Sequence, residues 1–155
     1  MTFFKNIFSN KPKQETPPIL VDMHSHLLPG IDDGAQNPQE SIFLIKRMME
    51  VGIKKVIATP HIMADYYRNT AESINGALEL LKAELVKENM DIPVEAAAEH
   101  YFDELFNERI ENGNLMLMKD NYVLFELSFI TRPPQLIEAV QHMREKGYKP
   151  ILAHP

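Results

Sequence analysis

Lys55-Val56-Ile57-Ala58-Thr59-Pro60-His61 is the stretch whose reading settles the fold class. A β-rich run (Val56 to Thr59) is closed by a proline, and a histidine follows at once. Upstream, Asn37 and Pro38 are helix-start signals. Ile42, Ile45, Met48 and Met49 then recur at helical spacing, and Gly52 marks the stop. Downstream, residues 70–89 place Ile74, Leu78, Leu81 and Leu85 on one face of a long amphipathic helix. A short strand between two such helices is the unit of an α/β fold with parallel strands.

The same alternation runs outward in both directions. Residues 19–24 read as a first strand, residues 92–99 as a third, residues 122–127 as a fourth and residues 150–154 as a fifth. Helices are expected at residues 102–111 and 133–146, the latter opened by Pro133 and stopped by Gly147. This makes about five βα units in one domain, residues 19–155. Residues 1–18 stand apart: Phe3, Phe4, Ile7 and Phe8 have helical spacing, and a polar, proline-bearing stretch follows. They are expected to form a leader, mobile or packed back on the domain. No apolar stretch is long enough for a membrane span or a signal-peptide core.

Composition narrows the chemistry. The 155 residues carry a formal charge of −6 and 45% hydrophobic residues. That supports a real core and disfavours sequence-independent nucleic-acid binding, which needs a basic footprint. The chain has no cysteine, so disulfides, thiolate metal sites and cysteine nucleophiles are excluded.

Histidines and carboxylates gather at the predicted strand ends. Strand one runs into Asp22-Met23-His24-Ser25-His26, and period-two alternation puts His24 and His26 on one side. The turn Pro29-Gly30-Ile31-Asp32-Asp33-Gly34 adds two carboxylates, although Asp and Gly are favoured in any turn. Strand two ends at Thr59-Pro60-His61 and strand five at Ala153-His154-Pro155. One such histidine is more simply a satisfied core residue; three strands ending alike point to a shared site. Glu99 ends the run after Val94, and Glu126 interrupts Tyr122-Val123-Leu124-Phe125. A carboxylate in a buried strand costs several kcal/mol unless a cation or strong donors compensate it, roughly the cost of an uncompensated buried charge. No Lys or Arg occupies an equivalent strand position, so a bound divalent cation is the economical partner. Imidazole and carboxylate ligands suit Mn, Fe or Zn. His100 should point away from Glu99, and His142 reads as a helix-surface residue. Tyr66, Tyr67 and Arg68 follow His61 in a loop, where Arg68 offers a fork for phosphate.

The stretch from Asp22 to Ala35 resembles the opening motif of the bacterial PHP-type (polymerase and histidinol phosphatase) protein-tyrosine phosphatases of capsular and exopolysaccharide synthesis. Ala58-Thr59-Pro60-His61, Ala98-Glu99, Phe125-Glu126-Leu127-Ser128-Phe129 and Ala153-His154-Pro155 match its later motifs in order. The resemblance implies a distorted (β/α)7 TIM-like PHP barrel, incomplete here, with up to three divalent metals, manganese first among them. It places His24 and His26 on the first metal, with Glu99 bridging to a second metal held by Glu126 and His154. Asp33 and His61 would hold the third. It further implies a cytoplasmic enzyme that removes phosphate from the tyrosine-rich tail of a partner autokinase, using a metal-bridging hydroxide and no protein nucleophile.

Family members continue past the His-Pro motif with Glu-Arg and a later Asp-x-His, which this sequence lacks. The expectation for this exact chain is therefore a C-terminally truncated domain with weak or absent activity. Two rival readings stand beside it: another PHP phosphoesterase, of the histidinol-phosphate phosphatase kind, and a non-catalytic remnant that only binds a partner.

Overall fold

A computed structural model describes residues 19–155 apart from residue 131. The expected leader, residues 1–18, lies outside the described residues. Chain order is β1 (Val21–Asp22), α1 (Pro38–Glu50), β2 (Lys55–Ala58), β3 (His61–Ile62), α2 (Ala71–Lys87), β4 (Val94–Ala96), β5 (Glu99–Tyr101), α3 (Phe106–Asn112), a short 3₁₀ turn, β6 (Tyr122–Glu126), α4 (Leu136–Glu145) and β7 (Lys149–Leu152). Among the described residues the pairings between these strands are all parallel. No described helix is long and apolar enough to cross a membrane.

Local chemistry explains the helix ends. Asn37 caps α1 by accepting the Glu40 N–H, and Thr70 forms a capping box with Ser73 at the start of α2. Two helices begin later than their patterns suggest. Asp103 takes the Leu105 N–H and a two-pronged Arg109 pair, which holds residues 103–105 in a turn before α3. Pro133 precedes Pro134 and is steered away from helical ψ, so α4 starts at Leu136.

The strands differ from expectation where the site lies. The order is β1-β2-β4 in one run and β3-β5-β6-β7 in another. Predicted strand two breaks at Thr59-Pro60, because proline has no N–H for the ladder. Predicted strand three breaks at Ala97-Ala98, where the Ala98 N–H turns aside to Met116 O. Pairing resumes with His61 opposite Glu99, so both residues open new strands instead of closing old ones. The expected barrel does not close: among the described residues β1 and β7 are edge strands that do not pair with each other. Closure requires strand number, tilt and stagger to match, and the described strands form an open three-stranded and an open four-stranded parallel sheet.

Two core clusters hold the sheet to its helices. Ile42, Ile45, Ile74, Leu78, Leu81 and Leu85 cover Val56 and Val94. Phe106, Ile110 and Met143 pack on Val123 and Phe125. Strand β6 is buried on both faces, as parallel strands usually are. Period-two alternation sends Val123 and Phe125 to the helices, and Leu124 and Glu126 to the opposite side. That face carries the site.

Candidate metal centre

His24 and His26 lie just beyond β1, and each ring is fixed through its inner nitrogen. His24 Nδ1 is 2.8 Å from Thr59 Oγ1, a hydroxyl that also accepts the Ser25 N–H at 3.2 Å. Thr59 sits fully buried at the break between β2 and β3. This leaves His24 Nε2 facing Glu99 Oε1 at 3.4 Å and His154 Nε2 at 2.9 Å. Burial is the largest influence on the His24 pKa and lowers it; Glu99 pulls the other way, and the neighbouring His26 and His154 add to the lowering.

His26 donates from Nδ1 to Asp32 Oδ2 at 2.7 Å, and its Nε2 stands 3.2 Å from Glu99 Oε2. Asp32 is buried and also accepts the Gly34 N–H at 3.0 Å and the His61 N–H at 3.1 Å. Burial would lower the His26 pKa. The contacts with Asp32 and Glu99 prevail and push it up to about 10. The same exchange holds Asp32 below the usual carboxylate range, against its own burial. These carboxylates demand positive charge at this point, and a metal cation would replace the proton that otherwise supplies it. The turn must come very close to do this. A Cβ on Gly34 would overlap the His26 carbonyl and Cβ, so glycine is required by space.

Glu99 is 0% exposed, with His24, His26 and His61 all within 3.4 Å of its oxygens. Burial alone would raise its pKa; the three imidazoles hold it below the usual value. Yet among the described residues neither Glu99 oxygen, nor His61 Nδ1, has an aligned hydrogen-bond partner. His61 Nδ1 lies 3.1 Å from Glu126 Oε1 and its Nε2 3.5 Å from Asp33 Oδ1. Burial alone would lower the His61 pKa; Glu126 and, less strongly, Glu99 act against it, and the net shift is upward. Buried carboxylate oxygens that face ring nitrogens without hydrogen bonds fit a divalent cation. Three groups of side chains bring ligand atoms within 4.8 Å of one another: His24, Glu99 and His154; His26, Asp33 and His61; His61, Glu99 and Glu126.

Residues 20–155 match the sequence model of the family described as Capsular polysaccharide synthesis, CpsB/CapC. The chain belongs to the CpsB/CapC family.

Among CpsB/CapC relatives, the chain is 31% identical over 137 residues to the tyrosine-protein phosphatase YwqE of Bacillus subtilis, covering 88% of this chain and 54% of that protein. It is 27% identical to the tyrosine-protein phosphatase CpsB of Streptococcus pneumoniae, covering 87% of this chain and 56% of that one. A chain from the crystal structures of YwqE and CpsB, described as unique metal-dependent tyrosine phosphatases, superposes with a TM-score of 0.81 at 30% identity. That match covers 88% of this chain and 56% of the other. The present chain thus spans about half the length of the relatives it matches.

All seven residues read from the CpsB/CapC-like motifs, His24, His26, Asp33, His61, Glu99, Glu126 and His154, fall in one connected cluster. The grouping of ligand atoms differs from the partition that the resemblance implied: His154 lies with His24 and Glu99, while Glu126 lies with His61. His154 itself has a left-handed backbone (φ 46°). Arg68 is exposed outside the cluster and donates from Nε to Ala64 O at 2.8 Å. His100 points away, as alternation requires; it is fully buried and accepts the Met116 N–H at Nε2. His142 is paired with Glu111 on the helix surface. Sequence reasoning treated Asp32 as turn chemistry and assigned Thr59 no task, yet they orient His26 and His24. The signal for Asp32 was its doubled carboxylate: of two adjacent acids in a tight turn, one points in and one out. Asp33, with 61% of its side chain exposed, is the outer one.

Proposed function

We propose that this chain hydrolyses phosphotyrosine on a protein, using divalent cations held by His24, His26, Asp33, His61, Glu99, Glu126 and His154. The observation that carries the reading is Glu99, a fully buried carboxylate with both oxygens facing imidazoles and neither hydrogen-bonded among the described residues. When bound, the cations supply Lewis acidity that activates water and neutralises phosphoryl charge. The residues of the chain do the rest. Thr59 and Asp32 set the rings of His24 and His26, and burial keeps bulk water from Glu99 and Glu126. Arg68 is exposed in the loop after β3; among the described residues its terminal nitrogens have no hydrogen-bond or carboxylate partner, which suits it to a phosphate.

Manganese, a cytoplasmic setting and an autokinase of polysaccharide synthesis as the phosphotyrosine partner belong to the same proposal. The names of YwqE and CpsB support its substrate class. Residues 19–155 act as one PHP-type domain in this reading. Phosphate release from a phosphotyrosyl peptide, measured with manganese and after chelation, tests it. Release that needs manganese and exceeds that from histidinol phosphate is expected. Preference for histidinol phosphate, or release unaffected by chelation, contradicts it. Intact cation uptake with no release would make the chain a binding protein instead.

A further inference from the structure

We propose that Tyr67 is the positioning residue for the cation position formed by His26, Asp33 and His61, its ring face holding the His61 imidazole in the plane that coordination requires. The proposal rests on the metal reading of the site given above.

The three inward-facing histidines of the first two motifs are not held alike. His24 and His26 each have the inner nitrogen fixed by a neighbour, Thr59 Oγ1 at 2.8 Å and Asp32 Oδ2 at 2.7 Å. A metal-binding histidine ordinarily needs such a partner, because the lone pair lies in the ring plane and a rotated ring aims it elsewhere. His61 has none: among the described residues its buried Nδ1 has no hydrogen bond. Its backbone is pinned, the N–H by Asp32 and the carbonyl by Asn69 Nδ2 at 2.9 Å, but these contacts do not set the ring plane, and the His26 ring 4.5 Å away meets it tilted at 42°. The ring nevertheless serves two of the three ligand groups, so its plane decides which cation position it completes.

Tyr67 supplies the missing constraint. Its ring lies nearly parallel to that of His61, with an interplanar angle of 11° and centroids 5.4 Å apart, an offset-stacked arrangement. Tyr67 is itself held firmly. Its carbonyl accepts the Met63 N–H at 2.9 Å and the Asn69 N–H at 2.7 Å. Asn69 Nδ2 also donates to Ile31 O at 2.9 Å, tying this loop to the turn that carries Asp32 and Asp33. The loop after β3 is thus knotted so that an aromatic face meets His61. The hydroxyl has no part in the contact.

Manganese titration by calorimetry on the full chain tests this, with Tyr67→Phe, Tyr67→Leu and Tyr67→Ala beside the parent. Tyr67→Phe should bind like the parent. Tyr67→Leu and Tyr67→Ala should lose roughly 3- to 10-fold in affinity at one class of cation position and leave the other class unchanged. The metal-free melting temperature should hold for Tyr67→Leu, which keeps the bulk. In metal-free protein, the nuclear magnetic resonance signals of the His61 ring should lose their ring-current displacement in Tyr67→Leu and keep it in Tyr67→Phe. Equal affinity in parent and Tyr67→Leu overturns the role of Tyr67 alone, as does a Tyr67→Phe protein as weak as Tyr67→Ala. A parent chain that takes up no manganese overturns the metal reading on which the proposal rests.

Discussion

His26 gives its Nδ1 proton to Asp32 Oδ2 across 2.7 Å, and that contact turns His26 Nε2 toward the buried carboxylate of Glu99. One acidic side chain in a turn thereby decides the direction of a ring on another segment. Asp32 does a second task by accepting the His61 N–H. Asp32→Ala should therefore loosen two ligands at once. Manganese affinity measured by calorimetry should fall about 10- to 100-fold, the usual consequence of losing an outer partner of a metal histidine. Unchanged affinity would mean that His26 is held by its surroundings without Asp32.

Gly34 is required by the approach of the turn to His26. Any side chain there would overlap the His26 backbone and Cβ, and the turn is tied down by the Ala35 N–H to His26 O at 3.0 Å. Gly34→Ala should lower stability by roughly 1–3 kcal/mol, the range for overpacking, and weaken cation binding with it. Chemical unfolding and manganese titration of the same variant check both. A protein of parental stability and affinity would show that the turn can move away without cost.

Glu99 should be the side chain through which cations stabilise the fold. Ligands that bind only the native state raise the melting temperature in proportion to their occupancy and affinity. Manganese should raise the melting temperature of the parent chain, and Glu99→Gln should abolish most of that rise while the protein stays folded. An equal rise in the variant would move the principal cation position away from Glu99.

His100 gives a pH signature separate from the metal centre. Its Nε2 accepts the Met116 N–H, so the ring is neutral with its proton on Nδ1. Burial, helped by the charge of Arg109, depresses its pKa from 6.5 to about 4. With a depressed histidine, the unfolded chain binds the extra proton first as pH falls. Stability is therefore whole above pH 6.5 and is lost between pH 6.5 and 4, by about 3 kcal/mol at one pKa unit per 1.36 kcal/mol. Gln at position 100 keeps an acceptor for Met116 and does not titrate. Urea midpoints of metal-free protein across this range should fall more steeply with acid in the parent than in His100→Gln; parallel slopes would contradict it.

What the sequence revealed, and what it hid, follows from how local each cause is. Glu126 was legible because a charged residue between Val123-Leu124-Phe125 and Leu127 has no ordinary explanation, and the structure shows it beside His61. The capped starts of α1 and α2 were legible for the same reason: Asn37-Pro38 and Thr70 act on their immediate neighbours. The break at Ala97-Ala98 was not. It arises because Met116, distant in sequence, takes the Ala98 N–H, and no local signal marks it. Thr59 was passed over because a threonine before a proline is ordinary strand-end chemistry; its value comes from His24 arriving from another strand. Closure of a barrel is a property of all the strands together, and motif matches along one chain could not fix it.

The most direct measurement is an anomalous difference map, recorded at the manganese absorption edge from a crystal grown with that ion. The account predicts at least one peak within about 2.3 Å of a Glu99 oxygen and a histidine nitrogen, near the Mn–O and Mn–N distances expected by analogy with zinc sites, with Glu126 facing the same cavity. A map with no peak near Glu99, and ordered water bonded to both of its oxygens, would contradict it.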